Sequence, residues 1–189
     1  MAKLNLVPED DPILSKDVKA SGKLTKKQKR SLSSMVKKMD DLPHAIALAA
    51  NQVGFDDLRA FVYRSGDKVC TVLDPVIRWS SLQDPDEILE GANGEAIPKS
   101  STQWEGCLSC PDKEYLVIRP TMIKVEFTSE SGARKRDTLF DLAARIFCHE
   151  MDHLDGVLIK NVSRQSRDPQ VEEPIEATSP MLFRVPKSA

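Results

Sequence analysis

The stretch from residue 139 to 156, Leu-Phe-Asp-Leu-Ala-Ala-Arg-Ile-Phe-Cys-His-Glu-Met-Asp-His-Leu-Asp-Gly, constrains this chain more than any other. Its apolar residues fall at Leu139, Leu142, Ala143, Ile146, Phe147 and Leu154. That spacing predicts a helix with a buried stripe. Gly156 suits the stop, because glycine takes the left-handed cap conformation without a side-chain clash. His149 and His153 are separated by one helical turn and share a face. That face continues the line of Leu142 and Ile146. Two imidazoles so placed can grip one metal ion while the core holds the helix still. Glu150, beside the first histidine, is in reach of a water on that ion. This His-Glu-x-x-His pattern is that of a catalytic metal site. The competing reading is two histidines at the core edge, one partnered by Asp152 or Asp155, with Glu150 in solvent.

A chain of 189 residues suits one domain with a full core and an extension. The formal net charge is −2, which gives no support to a nucleic-acid or membrane-surface partner. The basic cluster from Lys23 to Arg30 reads as the wet face of a helix. No apolar run approaches the roughly 18 residues that span a bilayer. The N-terminus has neither a signal core nor the Arg-rich, acid-poor look of a transit peptide. Cys70, Cys107, Cys110 and Cys148 are too few and too irregular for a secreted disulfide framework. A cytoplasmic location is therefore expected, and an organellar one is compatible.

Residues 4 to 20 read as an extended arm with turns at Pro8 and Pro12. Thr25 is placed to cap a helix running to about Met39, with Leu32, Met35, Val36 and Met39 on its apolar face. Residues 44 to 54 are small and apolar around one amide, Gln52, and by themselves read as a packed turn. Strands are expected at 59–63 and 68–73, joined by a hairpin at Ser65-Gly66-Asp67. Val76 to Trp79 reads as a further strand after Pro75. Residues 80 to 103 read as a long surface loop with a short helical piece near Ile88. Strands follow at 115–118, 121–128 and 133–138, and a short one at 157–159. The expected division is a catalytic domain over 1–162 and a mobile polar tail over 163–189, with Met181-Leu182-Phe183 as its one docking element.

Two histidines do not complete a catalytic site, which takes three protein ligands and an open position. Downstream of His153 there are acids, at Glu172, Glu173 and Glu176, but in the expected tail. Upstream, Cys107 lies in a Gly-Cys-Leu-Ser turn. A thiolate with two imidazoles suits iron(II), zinc, nickel or cobalt.

Three segments together carry a resemblance: Leu48-Ala49-Ala50-Asn51-Gln52-Val53-Gly54, Glu105-Gly106-Cys107-Leu108-Ser109, and His149 through Gly156. In this order they resemble the peptide deformylase family over roughly residues 8 to 162. The resemblance implies an α+β fold, a central metal-binding helix surrounded by antiparallel sheets. It implies removal of the N-terminal formyl group from formyl-methionine of nascent polypeptides, met at the ribosome. It implies Cys107, His149 and His153 as ligands of one divalent ion, iron(II) being the expected metal. Glu150 would be the general acid and base, with Gln52 and the Leu108 backbone N–H donating to the developing oxyanion. Ala45, Ile46, Ala47, Glu105, Gly106, Leu142 and Ile146 would form the substrate-binding segment.

The chain also departs from the family pattern. Ala45 and Ala47 stand where glycines are usual, Asn51 where proline or threonine is common, and Glu114 where many members carry arginine. Arg119 matches a family arginine. These departures put peptide affinity and preference in question. A zinc metallopeptidase shares the His-Glu-x-x-His chemistry, but needs a third His or Glu downstream. A structural zinc module would use Cys107 and Cys110 with both histidines, across a gap far wider than the roughly 12 to 15 residues of a finger.

Overall fold

The computed structural model of the protein describes residues 4–83, 89–90 and 95–169. The N-terminal arm is extended except for a 3-10 turn at Pro12–Ser15, which the Asp11 carboxylate opens by accepting from the Ile13 N–H at 2.9 Å. Leu14 and Val18 are buried, so the arm packs on the domain.

Helix α1 spans Lys26–Lys38. Thr25 and Gln28 form the reciprocal capping box that satisfies its first backbone donors. Leu32, Met35 and Met39 are buried as their spacing predicts. The strands are β1 (Ala47–Ala49), β2 (Ala60–Ser65), β3 (Lys68–Ser80), β4 (Leu89–Glu90), β5 (Ala96–Ile97), β6 (Ser100–Cys107), β7 (Cys110–Pro120), β8 (Met122–Thr128), β9 (Arg134–Phe140) and β10 (Ser163–Arg167). They form a five-stranded antiparallel sheet in the order β1-β2-β3-β8-β9, a three-stranded sheet β10-β7-β6, and the pair β4-β5. Helix α2 spans Asp141–Leu154.

Alternation along β2 decides the layering, since neighbouring side chains of a strand point to opposite faces. Ala60 and Val62 join the core under α1, while Phe61 joins the core under α2. Phe61 meets Phe147 edge to face, with centroids 5.2 Å apart. The first sheet is therefore covered on both sides, and α2 is held between it and the second sheet. The fold is α+β, as the resemblance implies.

Several local expectations change. Asp74-Pro75 does not divide two strands. β3 runs through it, with a register shift between Leu73 and Val76, and Asp74 sits at φ 46°. A bulge tolerates the proline, which has no ladder N–H to give. The Asp74 carboxylate accepts from Ser21 N–H at 2.6 Å and Gly22 N–H at 2.8 Å, which ties down the arm. Residues 100–103, expected as loop, are strand. Ile88 lies outside the described residues. Residues 157–159 are not a strand; the chain makes a 3-10 turn at Ile159–Asn161 and then β10. The first residues of the expected tail thus pair with β7. Met181-Leu182-Phe183 lies outside the described residues.

The stripe on α2 also shifts. Leu139 belongs to β9, and Leu142 and Ala143 are exposed. The buried face is Ala144, Phe147, Cys148, Met151 and Leu154. The line Leu142, Ile146, His149, His153 runs beside that face. Periodicity finds an apolar stripe, but it does not separate core from cleft.

The end of α2 is a Schellman cap. Gly156 N–H donates to His153 C=O at 3.0 Å and Val157 N–H to Asp152 C=O at 2.7 Å. Gly156 stands at φ 71°, and a Cβ there would lie 2.6 Å from the Ser15 backbone. Gly156→Ala is expected to cost at least about 2 kcal/mol. At this chain length that lowers Tm by roughly 4–8 °C. An unchanged thermal melt would contradict the cap.

Candidate active site

Three elements converge at one end of α2. Alternation along β6 turns Glu105 and Cys107 inward while Gly106 is exposed. The 3-10 turn Ala50–Val53 brings in Gln52, which is 1% exposed. The last turns of α2 bring His149, Glu150 and His153. One donor atom from each of Cys107, His149 and His153 lies within 4.8 Å of the other two. Cys107 Sγ is 3.2 Å from His153 Nε2. The Nδ1 of His149 bonds the Glu105 carboxylate at 3.0 Å, which leaves its Nε2 for an ion. Cys110 is not among the grouped donors.

These residues fit a divalent cation. A thiolate and two imidazoles suit a borderline-soft metal. Two buried polar atoms here, Glu150 Oε2 and His153 Nδ1, find no partner among the described residues. An unpartnered carboxylate oxygen is costly to bury. Beside three metal donors, water held on an ion would satisfy it.

The electrostatics follow from burial. Burial pushes the Glu150 carboxyl up to about 7, although the charge of His149 opposes this. Burial holds His153 well below its ordinary value, and the His149 charge adds to the effect. Burial works against protonation of His149 too, but the Glu105 hydrogen bond and the Glu150 charge outweigh it and raise the pKa. Metal binding would displace any proton on these imidazoles. Glu105 feels the same burial, yet its bonds to His149 and Arg119 hold it down to about 2.

The Glu105 side chain is 7% exposed and supports His149 from behind. Arg119 donates to it at 3.1 and 3.2 Å, and Arg145 donates to it as well. Arg119 also reaches Asp152 at 2.5 Å, and Arg145 bonds the Ser101 carbonyl at 2.7 Å. The network fixes β6 and β7 against α2. The sequence carried a signal for Arg119 and none for Arg145. Asn51 was likewise noted only as a departure. Its Nδ2 donates to the His153 carbonyl at 2.5 Å, which joins the Gln52 turn to the metal helix. Arg59 was missed entirely; it donates to the Leu154 carbonyl at 3.2 Å and to Asp155 at 2.7 Å, closing the same helix end.

The remaining expected residues are placed as follows. Gln52 Oε1 accepts from Ala49 N–H at 2.9 Å, and its Nε2 donates to Ser109 Oγ at 3.1 Å. That Nε2 is 3.8 Å from Cys107 Sγ, so the amide is aimed at the site. Leu108 is half-buried in the turn after Cys107, and Ile146 is half-buried. Ile46 and Leu142 are 52% and 59% exposed, unusually open for large apolar side chains. Ala45 and Ala47 are buried, and neither has a positive φ, so glycine's torsional freedom is not required there. Glu114 is held by Arg167 at 2.6 Å, and that guanidinium lies 4.2 Å over the Trp104 ring.

The profile of the polypeptide deformylase family matches residues 3–168. The chain belongs to that family. The peptide deformylase of Finegoldia magna is 34% identical over 175 residues, covering 91% of this chain and 96% of that protein. The crystal structure of the Thermotoga maritima peptide deformylase superposes with a TM-score of 0.67 at 32% identity, covering 84% of this chain and 96% of that one. A peptide deformylase of Synechococcus elongatus, crystallised with actinonin, gives a TM-score of 0.70 at 26% identity, covering 85% and 78% of the two chains. This deformylase is therefore a metal-dependent hydrolase with a site for one divalent ion.

The raised Glu150 pKa has a consequence for the metal-free deformylase. Unfolded, the carboxyl ionises near its ordinary 4.5, whereas folded it holds its proton to about 7. Within that window the folded chain binds the extra proton, so stability falls as pH rises. One such group accounts for up to about 3 kcal/mol. Glu150→Gln removes it. Urea unfolding of metal-free protein at pH 5 and pH 8 should show a steeper loss in wild type than in the variant, by roughly 2–3 kcal/mol. Equal losses would contradict the assignment.

Proposed function

We propose that this deformylase hydrolyses the formyl amide of nascent formyl-methionyl polypeptides at the centre formed by Cys107, His149, His153 and Glu150. The observation that carries this reading is the unpartnered Glu150 oxygen buried beside three metal donors. When bound, the ion supplies Lewis-acid activation of a water and of the formyl oxygen. Glu150 takes the water's proton and later returns it to the leaving amine nitrogen. A pKa near 7 suits both transfers at neutral pH. Gln52 Nε2 and the Leu108 N–H donate to the formyl oxygen as charge builds on it. Losing one such donor costs on the order of a hundredfold or more in rate. Glu105 holds the His149 ring in one tautomer and orientation.

Ile46, Leu142 and Ile146 supply an apolar wall for the methionine side chain. The exposure of the first two supports this, since open apolar surface beside a site favours an apolar ligand. Ala45 lies in the segment leading into β1, Ala47 on β1 and Gly106 on β6. Among the described residues both strands are sheet edges, where an extended peptide backbone can add. Iron(II) is the metal we assign in the cell; zinc, nickel and cobalt suit the same donors. We place the enzyme in the cytoplasm, meeting its substrate at the ribosome. Four free cysteines support this location. Among the described residues no helix is long and apolar enough to cross a membrane.

The test compares three peptides on nickel(II)-loaded protein: formyl-methionyl, acetyl-methionyl and unformylated. Formate release from the first, with no cleavage of the others, is expected. Cleavage of an internal peptide bond, or no turnover by folded metal-loaded protein, would overturn the reading.

A further inference from the structure

Cys110 has no part in the deformylase reaction as assigned, yet it is placed against the sulfur that does. It opens β7 and is the direct cross-strand partner of Cys107, across the two-residue turn Leu108-Ser109. Direct partners in an antiparallel ladder have Cα atoms about 4.5–5.5 Å apart, with side chains on one face. A disulfide needs about 4.4–6.8 Å. Both thiols are free. Cys110 packs with Cys107, Tyr115, Val117 and Ile159 in one buried cluster. These contacts hold Cys110 beside Cys107. It is 2% exposed, while Cys107 is 7% exposed.

We propose that Cys110 is the resolving thiol of Cys107, so that a hydroperoxide converts the pair to a Cys107–Cys110 disulfide. The proposal rests on the reading of Cys107 as a metal ligand for its consequence, loss of the sulfur donor. The chemistry balances in two steps. The Cys107 sulfur attacks the peroxide O–O bond, gains one oxygen as a sulfenic acid, and one water leaves. The Cys110 sulfur attacks that sulfenic sulfur, the S–S bond forms, and a second water leaves with the remaining thiol proton. Overall two thiols lose two electrons and hydrogen peroxide gains them. Without a neighbouring thiol the sulfenic acid goes on to sulfinic and sulfonic acids, which reductants do not reverse. The pair thus converts a permanent loss of the metal ligand into a reversible one.

The test treats zinc-loaded full-length protein with hydrogen peroxide. Remaining thiols are alkylated, peptides are mapped by mass spectrometry, and released zinc is followed with a chromogenic chelator. The expected product links Cys107 to Cys110, two hydrogens lighter than the dithiol, with Cys70 and Cys148 still alkylated. Zinc should be released in step, and dithiothreitol followed by removal of the chelator and reloading with zinc should restore formate release to near its starting rate. Cys110→Ser should instead yield oxidised Cys107 acids and an activity loss that dithiothreitol does not reverse. If that variant fails to fold, the wild-type map decides alone. Wild-type Cys107 acids with Cys110 still alkylated would overturn the proposal, as would an intact pair after other thiols have oxidised. The disulfide without zinc release would support the thiol pair and overturn Cys107 as a ligand.

Discussion

Glu150→Gln is expected to lower kcat/KM on a formyl-methionyl peptide by about 10²–10⁴-fold while metal content stays at the wild-type level. The Glu150 carboxylate has a buried oxygen with no partner among the described residues and lies outside the set of three metal donors. Glutamine keeps the shape and can still bond a water, but it cannot carry the proton from water to amine. The loss should fall mainly on kcat, because Glu150 acts only as the proton moves. Metal analysis alongside steady-state kinetics checks this. Activity within a few-fold of wild type would remove Glu150 from the mechanism.

The second large effect is on binding. Cys107→Ala leaves two imidazoles on one helix and removes the single donor that β6 contributes. Zinc at a hundred times its Kd stabilises a protein by about 2.7 kcal/mol. For a chain of this size that is a rise of roughly 5–10 °C in Tm. Wild type should show the rise, and Cys107→Ala should lose it. The metal-free proteins should melt close together, because the substitution removes only one small buried atom group. An equal zinc-dependent rise in both would show that the ion sits elsewhere.

Much of this arrangement was legible in the sequence because it is local. Thr25 announces the start of α1 as a capping residue before an amphipathic run. Gly66 announces the hairpin between β2 and β3, and takes φ 58° there. His149, Glu150 and His153 declare a helical metal site because a single turn of helix sets their relation. Cys107 was a candidate third ligand by its chemistry, and the family resemblance joined it and Gln52 to the helix, since no spacing rule connects residues on separate elements. What escaped is long-range and polar. Arg145 reaches Glu105 over 40 positions, and Asn51 reaches His153 over 102. A pattern in one sequence does not register such pairs. Leu142 was misplaced for a different reason. Periodicity alone does not say which apolar residues of a helix are buried, and only the packing of Phe147 and Met151 on the sheet shows which face is core. β10 was missed because Ser163–Arg167 is polar and half-exposed, so its pairing with β7 leaves no hydrophobic alternation to read.

The central claim is an open centre with three protein ligands, and X-ray absorption at the zinc edge of the loaded protein tests it most directly. The predicted shell is one sulfur at about 2.3 Å, two imidazole nitrogens at about 2.0–2.1 Å and one oxygen from solvent. Two sulfurs with two imidazoles would mean that Cys110 closes the site as a structural one. A shell without sulfur would remove Cys107 from the centre. Either result would contradict the catalytic assignment made here.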